Sequence, residues 1–188
     1  MLYEKAKEQY EKALSINPKF AQALNNLGAT CEIFGLKEQA LENYNKAIDQ
    51  APNYAEAHRN LSALKKYKKN DSQINLMESL YSNPNLSLSD KRNLSFALAK
   101  VNEDLGNNDK FFKFLNEGNN LRKQELNYSF TSSNNFHLSL LKAFESPPKI
   151  ITQNEKNKST VRPIFVLGMP RSGTTLVEQI ISSHHEVY

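Results

Sequence analysis

A repeat of 34 residues limits what the first part of this chain can fold into. At least six residue identities recur at that interval, more than chance would give. The matched pairs include Ala6/Ala40, Tyr10/Tyr44, Ala13/Ala47, Pro18/Pro52, Ala23/Ala57 and Leu27/Leu61. A period of this length is typical of stacked helical hairpins, in which each repeat buries its apolar face against its neighbours. We therefore expect the chain to begin as an all-α helical solenoid.

The residue types at these positions fit two helices per repeat. The alanines let two helices approach closely, and the Tyr and Leu side chains fill the space between helices. Gly28 is predicted to lie at a crowded helix crossing. Gly35 is suited to end a helix, because the left-handed conformation costs glycine little. Pro18 and Pro52 mark turns, because proline cannot continue a helix.

More helices are predicted beyond Asn70, where the repeat spacing slips. Residues 74–81 form one candidate, closed by Asn83-Pro84, and residues 90–106 form another. A third runs from about residue 111 to 126 and is interpreted as part of a divergent last repeat. One more amphipathic helix is indicated by the spacing of Phe136, Leu140, Leu141 and Phe144.

The pattern of the first repeat resembles a known family. Asn25-Asn26-Leu27-Gly28, followed by Gly35, Ala40, Tyr44, Ala47 and Pro52, resembles the tetratricopeptide repeat. The resemblance covers roughly residues 1–69 and is specific for one full repeat, residues 21–54. Only the second helix of a repeat precedes it, so we expect the N-terminus to be truncated. The resemblance implies a helical array with a surface for a protein partner.

The basic run Lys65-Lys66-Tyr67-Lys68-Lys69 has two interpretations. It could form a site for an anion or an acidic partner, or it could be the solvated end of a helix. We favour the solvated helix end, because a charge run on a helix is most often an exposed face.

Composition excludes several classes of protein. The net charge of +4 is mild, and the abundance of Asn and Lys is interpreted as a bias in residue usage, so nucleic-acid binding is not expected. Cys31 is the single cysteine, which rules out an intrachain disulfide, and its helical setting predicts a buried structural role. No secretory signal and no apolar run long enough for a membrane span is visible. We expect a cytoplasmic protein without a metal site.

The architecture is predicted to change near residue 146. Residues 1–145 are assigned to the repeats, and residues 146–162, which include Pro147-Pro148, to a polar linker. Residues 163–188 are assigned to the start of a second domain. The continuous apolar run 163–167 predicts a strand buried in a parallel sheet. The apolar helix face that follows consists of Leu176, Val177, Ile180 and Ile181.

The segment between that strand and that helix has nearly the spacing of a phosphate-binding loop. Gly168 and Gly173 stand five residues apart and Thr174-Thr175 follows, against the pattern Gly-x-x-x-x-Gly-Lys-Ser/Thr. Thr174 occupies the place of the lysine, and the cationic residue is Arg171 instead. Such a loop can hold a phosphate through backbone N–H groups, hydroxyls and the helix N-terminus. Without the lysine it is a poor candidate for a kinase or an ATPase.

The hexapeptide Pro170-Arg171-Ser172-Gly173-Thr174-Thr175 resembles the 5′-phosphosulfate loop of sulfotransferases. Residues 165–188 are similar to bacterial sulfotransferases with N-terminal tetratricopeptide repeats and, less closely, to tyrosylprotein sulfotransferases. The resemblance implies an α/β domain and the co-substrate 3′-phosphoadenosine 5′-phosphosulfate. It implies that Arg171 contacts the phosphosulfate and that Ser172, Gly173, Thr174 and Thr175 surround the 5′-phosphate. The acceptor would be a hydroxyl on a protein, a glycan or a small molecule.

Two histidines near the end of the chain are candidate bases or metal ligands. His184 and His185 are adjacent, which predicts that their rings point in different directions, and a surface role is favoured. Glu178 is expected to be solvated or ion-paired on the helix. The catalytic base is expected downstream of Tyr188, so we expect these 188 residues alone to be inactive.

Two alternatives compete with the sulfotransferase hypothesis. The chain could be a tetratricopeptide scaffold that binds proteins without catalysis. It could also belong to another P-loop nucleotide-binding enzyme, for which an acidic residue suited to Mg²⁺ would follow a later strand.

Overall fold

The computed structural model describes residues 2–145 and 163–187, and their regular structure is helical. The predicted linker, residues 146–162, lies outside the described residues. The helices are α1 (Leu2–Ile16), α2 (Ala21–Ile33), α3 (Lys37–Gln50), α4 (Ala55–Leu64), α5 (Ser72–Tyr81), α6 (Leu88–Asp104), α7 (Asn108–Glu125), α8 (Phe130–Ala143) and α9 (Thr174–Ser182).

The chain divides into two compact units, Met1–Ser133 and Asn134–Tyr188. The division falls inside α8, twelve residues before the predicted end of the repeats at residue 145 (145 − 133). The assignment of residues 163–188 to a separate domain stays a prediction. Within the described part of the chain, no helix is both long and apolar enough to cross a membrane.

The first full repeat forms as predicted, with α2 and α3 as its two helices. The N–H of Gly35 donates to the Glu32 carbonyl at 2.9 Å, and that of Leu36 donates to the Cys31 carbonyl at 2.9 Å. Gly35 has a φ of +72°, so the end of α2 is a left-handed cap of the Schellman type. The repeat packs against α1 through α2 and against α4 through α3.

Close packing between α2 and α3 depends on one glycine. A Cβ atom on Gly28 would lie 2.6 Å from Cε1 and 2.8 Å from Cδ1 of the Tyr44 ring. Tyr44 is itself buried, with Ala40 and Ala47 one turn to either side on α3. The prediction that Gly28 lies at a crowded crossing is therefore confirmed.

Two apolar clusters form the core of the first unit. One lies among α2, α3 and α4 and contains Tyr44, Leu61 and Cys31. The other lies among α4, α5 and α6 and contains Met77 and Leu98. Since α4 contributes to both clusters, it links the first repeat to the helices that follow. Cys31 is buried as predicted, and its burial raises the pKa of the thiol, which disfavours the reactive thiolate.

The second repeat departs from the first after α4. Helix α4 ends at Leu64, and Lys65 is already extended, with ψ of 146°. Position 69, which is 34 residues after Gly35, is a lysine, so the glycine that caps α2 has no counterpart here. Tyr67 is buried, and its N–H donates to Asp104 of α6 at 3.0 Å. The expectation that residues 65–69 form a solvated helix end is therefore wrong, although Lys66 and its neighbours Lys68 and Lys69 are exposed.

The predicted strand at residues 163–167 is not formed in the described structure. Residues 163–168 have no regular secondary structure, and Phe165 and Leu167 are exposed. A strand is defined by hydrogen bonds to a neighbouring strand, and the described residues contain no second strand to supply them. A turn and helix α9 follow these residues, and the strand–loop–helix unit as a whole stays a prediction.

Candidate functional site

The loop from Gly168 to Gly173 leads directly into α9. The N–H of Ser172 donates to the Met169 carbonyl at 3.0 Å, which closes a tight turn. Arg171 and Gly173 are both left-handed, with φ of +67° and +86°. Left-handed residues within a turn are the backbone pattern of anion-binding concavities. An arginine in this conformation is uncommon, and such backbone outliers cluster at functional sites.

Gly168 lets the side chains of the loop fold back over the backbone. A Cβ atom there would lie 2.4 Å from Oγ of Ser172 and 2.8 Å from Cγ2 of Thr174. Any larger residue would displace these two side chains. The phosphate-loop pattern requires glycine at this position, and in this chain the reason is steric.

Helix α9 begins without a side-chain cap. Gly173 occupies the N-cap position and offers no side-chain hydrogen bond, and the Val177 N–H donates to its carbonyl at 3.1 Å. The N–H groups of the first helical turn have no acceptor within the helix. The helix dipole places partial positive charge at the same end. An oxyanion at this helix end would accept hydrogen bonds from these N–H groups and would be attracted by the partial positive charge.

The five predicted site residues, Arg171 to Thr175, share one short stretch of chain. All are exposed except Thr174, which is half-buried. A phosphate or sulfate group would accept hydrogen bonds from donors of the kinds present here: the guanidinium, three hydroxyls and the backbone N–H groups at the start of α9. Thr174 stands at the first position of the helix, where nucleotide triphosphatases carry lysine.

His184 and His185 lie in an exposed turn after α9. Their rings stack, with centroids 4.6 Å apart and planes 27° apart, so the expectation that they point in different directions is wrong. The backbone of a turn, unlike that of a helix or strand, can place adjacent side chains on one side. Nδ1 of His184 accepts the N–H of Glu186 at 3.3 Å. Glu178 is exposed on α9, in agreement with its predicted solvated position.

Within residues 2–145 and 163–187, no three His, Cys, Asp or Glu side chains come together in a group that could hold a metal ion.

A second candidate surface lies on the helices α2, α4 and α6, where polar side chains are joined across repeats. Nδ2 of Asn60 donates to Oδ1 of Asn25 at 3.0 Å, and Nδ2 of Asn25 lies 3.5 Å from the Tyr54 hydroxyl. That hydroxyl donates to Glu56 at 3.3 Å. Burial and then the Glu56 carboxylate raise the pKa of Tyr54 to about 12, so the hydroxyl stays a donor.

The same surface carries an exposed cation. The guanidinium of Arg59 lies 5.2 Å from the centroid of the Phe96 ring, and one of its nitrogens donates to Oδ1 of Asn93 at 3.4 Å. Stacking on an aromatic ring holds the arginine in place while its remaining donors stay in solvent. We call Arg59, Asn60 and Phe96 the inner-helix face.

Sequence reasoning missed a buried polar cluster around His58. His58 is fully buried on α4 and contacts Gln73, which in turn accepts from Tyr67. A signal was present: His58 stands 34 residues after Leu24, a core position of the first repeat. A polar residue at an apolar repeat position requires buried partners, and that requirement predicts a local departure from the repeat.

Comparison with known proteins connects both regions to families. A family model described as tetratricopeptide repeat matches residues 9–42, and one described as sulfotransferase family matches residues 163–188. Each match is confined to a short part of the chain.

A relative and a solved structure illustrate the similarity over a longer part of the chain. An uncharacterized protein of Aquifex aeolicus (strain VF5) is 38% identical over 125 residues, which cover 66% of this chain. The chain spans only 16% of the length of that relative. The crystal structure of MamA superposes with a TM-score of 0.46 at 20% identity, covering 68% of this chain and 72% of MamA. The chain is thus similar to tetratricopeptide repeats in its first unit and to the sulfotransferase family in its last residues.

Proposed function

We propose that this chain contributes the phosphosulfate-binding loop of a sulfotransferase. The co-substrate would be 3′-phosphoadenosine 5′-phosphosulfate, and the acceptor would carry a hydroxyl group. The observation that carries the proposal is the uncapped N-terminus of α9 with Arg171 and Gly173 left-handed before it. The match of the sulfotransferase family to residues 163–188 supports it.

Each loop residue has a role in this proposal. The backbone N–H groups of Gly173, Thr174 and Thr175 bind the 5′-phosphate, and the hydroxyls of Ser172 and the two threonines add donors. Arg171 lies against the phosphosulfate, where it offsets the negative charge that develops on the bridging oxygen. The lysine of the P-loop pattern is not required for this role, because the arginine and the helix end supply the positive charge.

The reaction is an in-line transfer. The acceptor oxygen forms a bond to sulfur while the bond from sulfur to the bridging oxygen breaks, and 3′-phosphoadenosine 5′-phosphate leaves. The acceptor proton passes to a general base, to which we assign no residue of this chain. As in phosphoryl transfer, positioning and charge stabilisation supply most of the rate enhancement.

Binding of 3′-phosphoadenosine 5′-phosphate tests the loop. We expect a titration followed by ¹⁵N NMR to shift the amides of Ser172 to Thr175, with a weaker response to ATP. Arg171→Ala should weaken binding about tenfold or more, since a charge-assisted contact contributes ~1.5–3 kcal/mol. Arg122→Ala, an exposed arginine on α7, is the matched control and should leave binding unchanged. Equal loss in both variants, or shifts outside the loop only, would reject the assignment.

A second function, protein binding, is supported by the repeats and by the inner-helix face. Arg59 is held on Phe96 with free donors directed to solvent, which suits a carboxylate on an extended protein segment. For acidic peptides selected in a display screen, Arg59→Ala should weaken the binding affinity about fivefold or more. Lys46→Ala, an exposed lysine on α3 paired with Glu42, should not. If the peptides bind the Arg59→Ala and Lys46→Ala variants equally well, the peptide site does not lie on the inner-helix face.

A further inference from the structure

His58 occupies an unusual place in this molecule, because it is fully buried and both its ring nitrogens are engaged. Nε2 lies 2.8 Å from the Pro52 carbonyl oxygen, and Nδ1 lies 3.1 Å from Nε2 of Gln73. Pro52 belongs to the turn before α4, and Gln73 to the first turn of α5. The ring therefore connects the turn that precedes α4 in the sequence to the helix that follows α4.

The orientation of Gln73 fixes the protonation state of the ring. Its Oε1 accepts the Tyr67 hydroxyl at 3.0 Å and Nζ of Lys65 at 3.2 Å, so its NH₂ group faces His58. An NH₂ group can only donate, so Nδ1 of His58 must accept and Nε2 must carry the hydrogen that goes to Pro52. The arrangement thus fits the neutral imidazole alone.

The partners of this cluster hold the irregular segment, residues 65–71. Tyr67 is anchored by its hydroxyl to Gln73 and by its N–H to Asp104 of α6 at 3.0 Å. Lys65 bridges Gln73 and Asp71, with 2.6 Å between Nζ and the Asp71 carboxylate. The same glutamine side chain that donates to His58 is therefore a shared acceptor for two residues of the segment.

We propose that His58 is a proton-operated latch: a proton on Nδ1 releases residues 65–71 from their contacts with α5. With that proton present, an N–H would face the Gln73 NH₂ group, donor against donor. Rotating the Gln73 amide would relieve that conflict, but its oxygen would then leave the Tyr67 hydroxyl. The NH₂ group would come to face the Lys65 ammonium. Either outcome removes the acceptor of the Tyr67 hydroxyl, so the Tyr67 backbone is then held by Asp104 alone and its N–H opens more readily.

The surrounding charges do not stabilise a protonated ring. From the segment, Asp71 is already paired with Lys65, and from α6, Asp104 is already paired with Lys100 at 2.7 Å. The side chain that α5 directs at the ring is the neutral Gln73. Burial lowers the pKa of His58 from its ordinary value of 6.5, and the Pro52 carbonyl opposes this only in part. The latch is therefore closed at neutral pH, and it opens more readily as the pH falls below the ordinary histidine pKa of 6.5.

Hydrogen exchange tests the latch on the full chain. Between about pH 7.5 and about pH 5.5, after correction for intrinsic rates, protection of the Tyr67 amide should fall severalfold, up to about tenfold, since a single proton is taken up. The Tyr44 amide, in the other apolar cluster, should keep its protection. A wild-type Tyr67 amide whose protection does not change with pH would overturn the proposal. An equal loss at Tyr44 would also overturn it, because the event would then be general unfolding.

Variants of the histidines separate His58 from the rest. The chain has four histidines, and a variant with His137, His184 and His185 all changed to Gln retains only His58 and should keep the full pH response. His58→Gln should abolish the response; a persisting response would refute the proposal. If His58→Gln does not fold, ¹⁵N NMR of the ring in the triple variant decides. The proposal requires hydrogen on Nε2 at neutral pH, and hydrogen on Nδ1 would contradict it.

Discussion

At the scale of single residues, the contact between Gly28 and Tyr44 shows how little room the repeat leaves. The Tyr44 ring is buried beneath α2, and the missing Cβ of Gly28 is the space that its edge occupies. Tyr44 also donates its hydroxyl to Glu32 at 3.1 Å, which fixes the ring at both ends. A ring held in this way cannot move aside cheaply.

Replacing Gly28 by alanine should therefore destabilise the protein. Alanine favours a helix over glycine by about 1 kcal/mol, whereas overpacking a filled site costs about 1–3 kcal/mol, so we expect a net loss of about 1 kcal/mol, with an upper limit of about 2 kcal/mol. Urea unfolding measures this free energy. Adding Tyr44→Leu should make the Gly28→Ala substitution less costly, because the clash is then removed. An alanine variant as stable as the parent would show that the ring can shift.

At the scale of elements, α6 is fixed at its start by a reciprocal cap. Oγ of Ser87 accepts the Asp90 N–H at 3.1 Å and donates to the Asp90 carboxylate at 2.6 Å. Helix α6 packs against α4, α5 and α7, so its start fixes the position of three neighbours. The sequence shows this cap locally, as Ser followed three residues later by an acidic residue.

Loss of that cap should lower stability by a predictable amount. Ser87→Ala removes the acceptor of the Asp90 N–H and should reduce the free energy of unfolding by about 1 kcal/mol. Ser87→Asn, which retains a capping oxygen, should cost only a small part of that. Thermal or urea unfolding of the two variants compares them, and an equal loss in both would exclude the cap as the cause.

At the scale of the whole molecule, the buried core found among the described residues lies within one unit. Among the described residues, the buried ones lie between Ala21 and Leu121, whereas Phe136, Phe144 and Ile180 are exposed. The first unit, Met1–Ser133, therefore contains the apolar area that drives its own folding.

A fragment of residues 1–133 should fold by itself. No buried side chain of the described core is removed. The free energy of unfolding of the fragment, measured in urea, should therefore match that of the parent within about 1 kcal/mol. Circular dichroism follows both proteins, and a fragment shortened further, to residue 107, serves as control because it lacks α7 and with it Leu121. A large loss in the 1–133 fragment would mean that the second unit supports the first.

The sequence determined by itself what depends on neighbours along the chain. The 34-residue period predicted α2 and α3, glycine predicted the cap at residue 35, and the loop pattern predicted that Arg171 to Thr175 lie at the start of a helix. The cap and the loop arise from residues only a few positions apart, and the period is a recurrence of such local patterns, so the residue types are sufficient evidence.

Tertiary structure alone decided the features that need distant partners. The apolar run 163–167 reads as a strand, yet a strand requires a second one for its hydrogen bonds, and none lies among the described residues. His58 stands at a core position of the repeat, and only folding brings Gln73 and Pro52 to its two nitrogens. A buried polar group must be satisfied wherever the fold supplies a partner, and a single sequence does not specify where that partner lies.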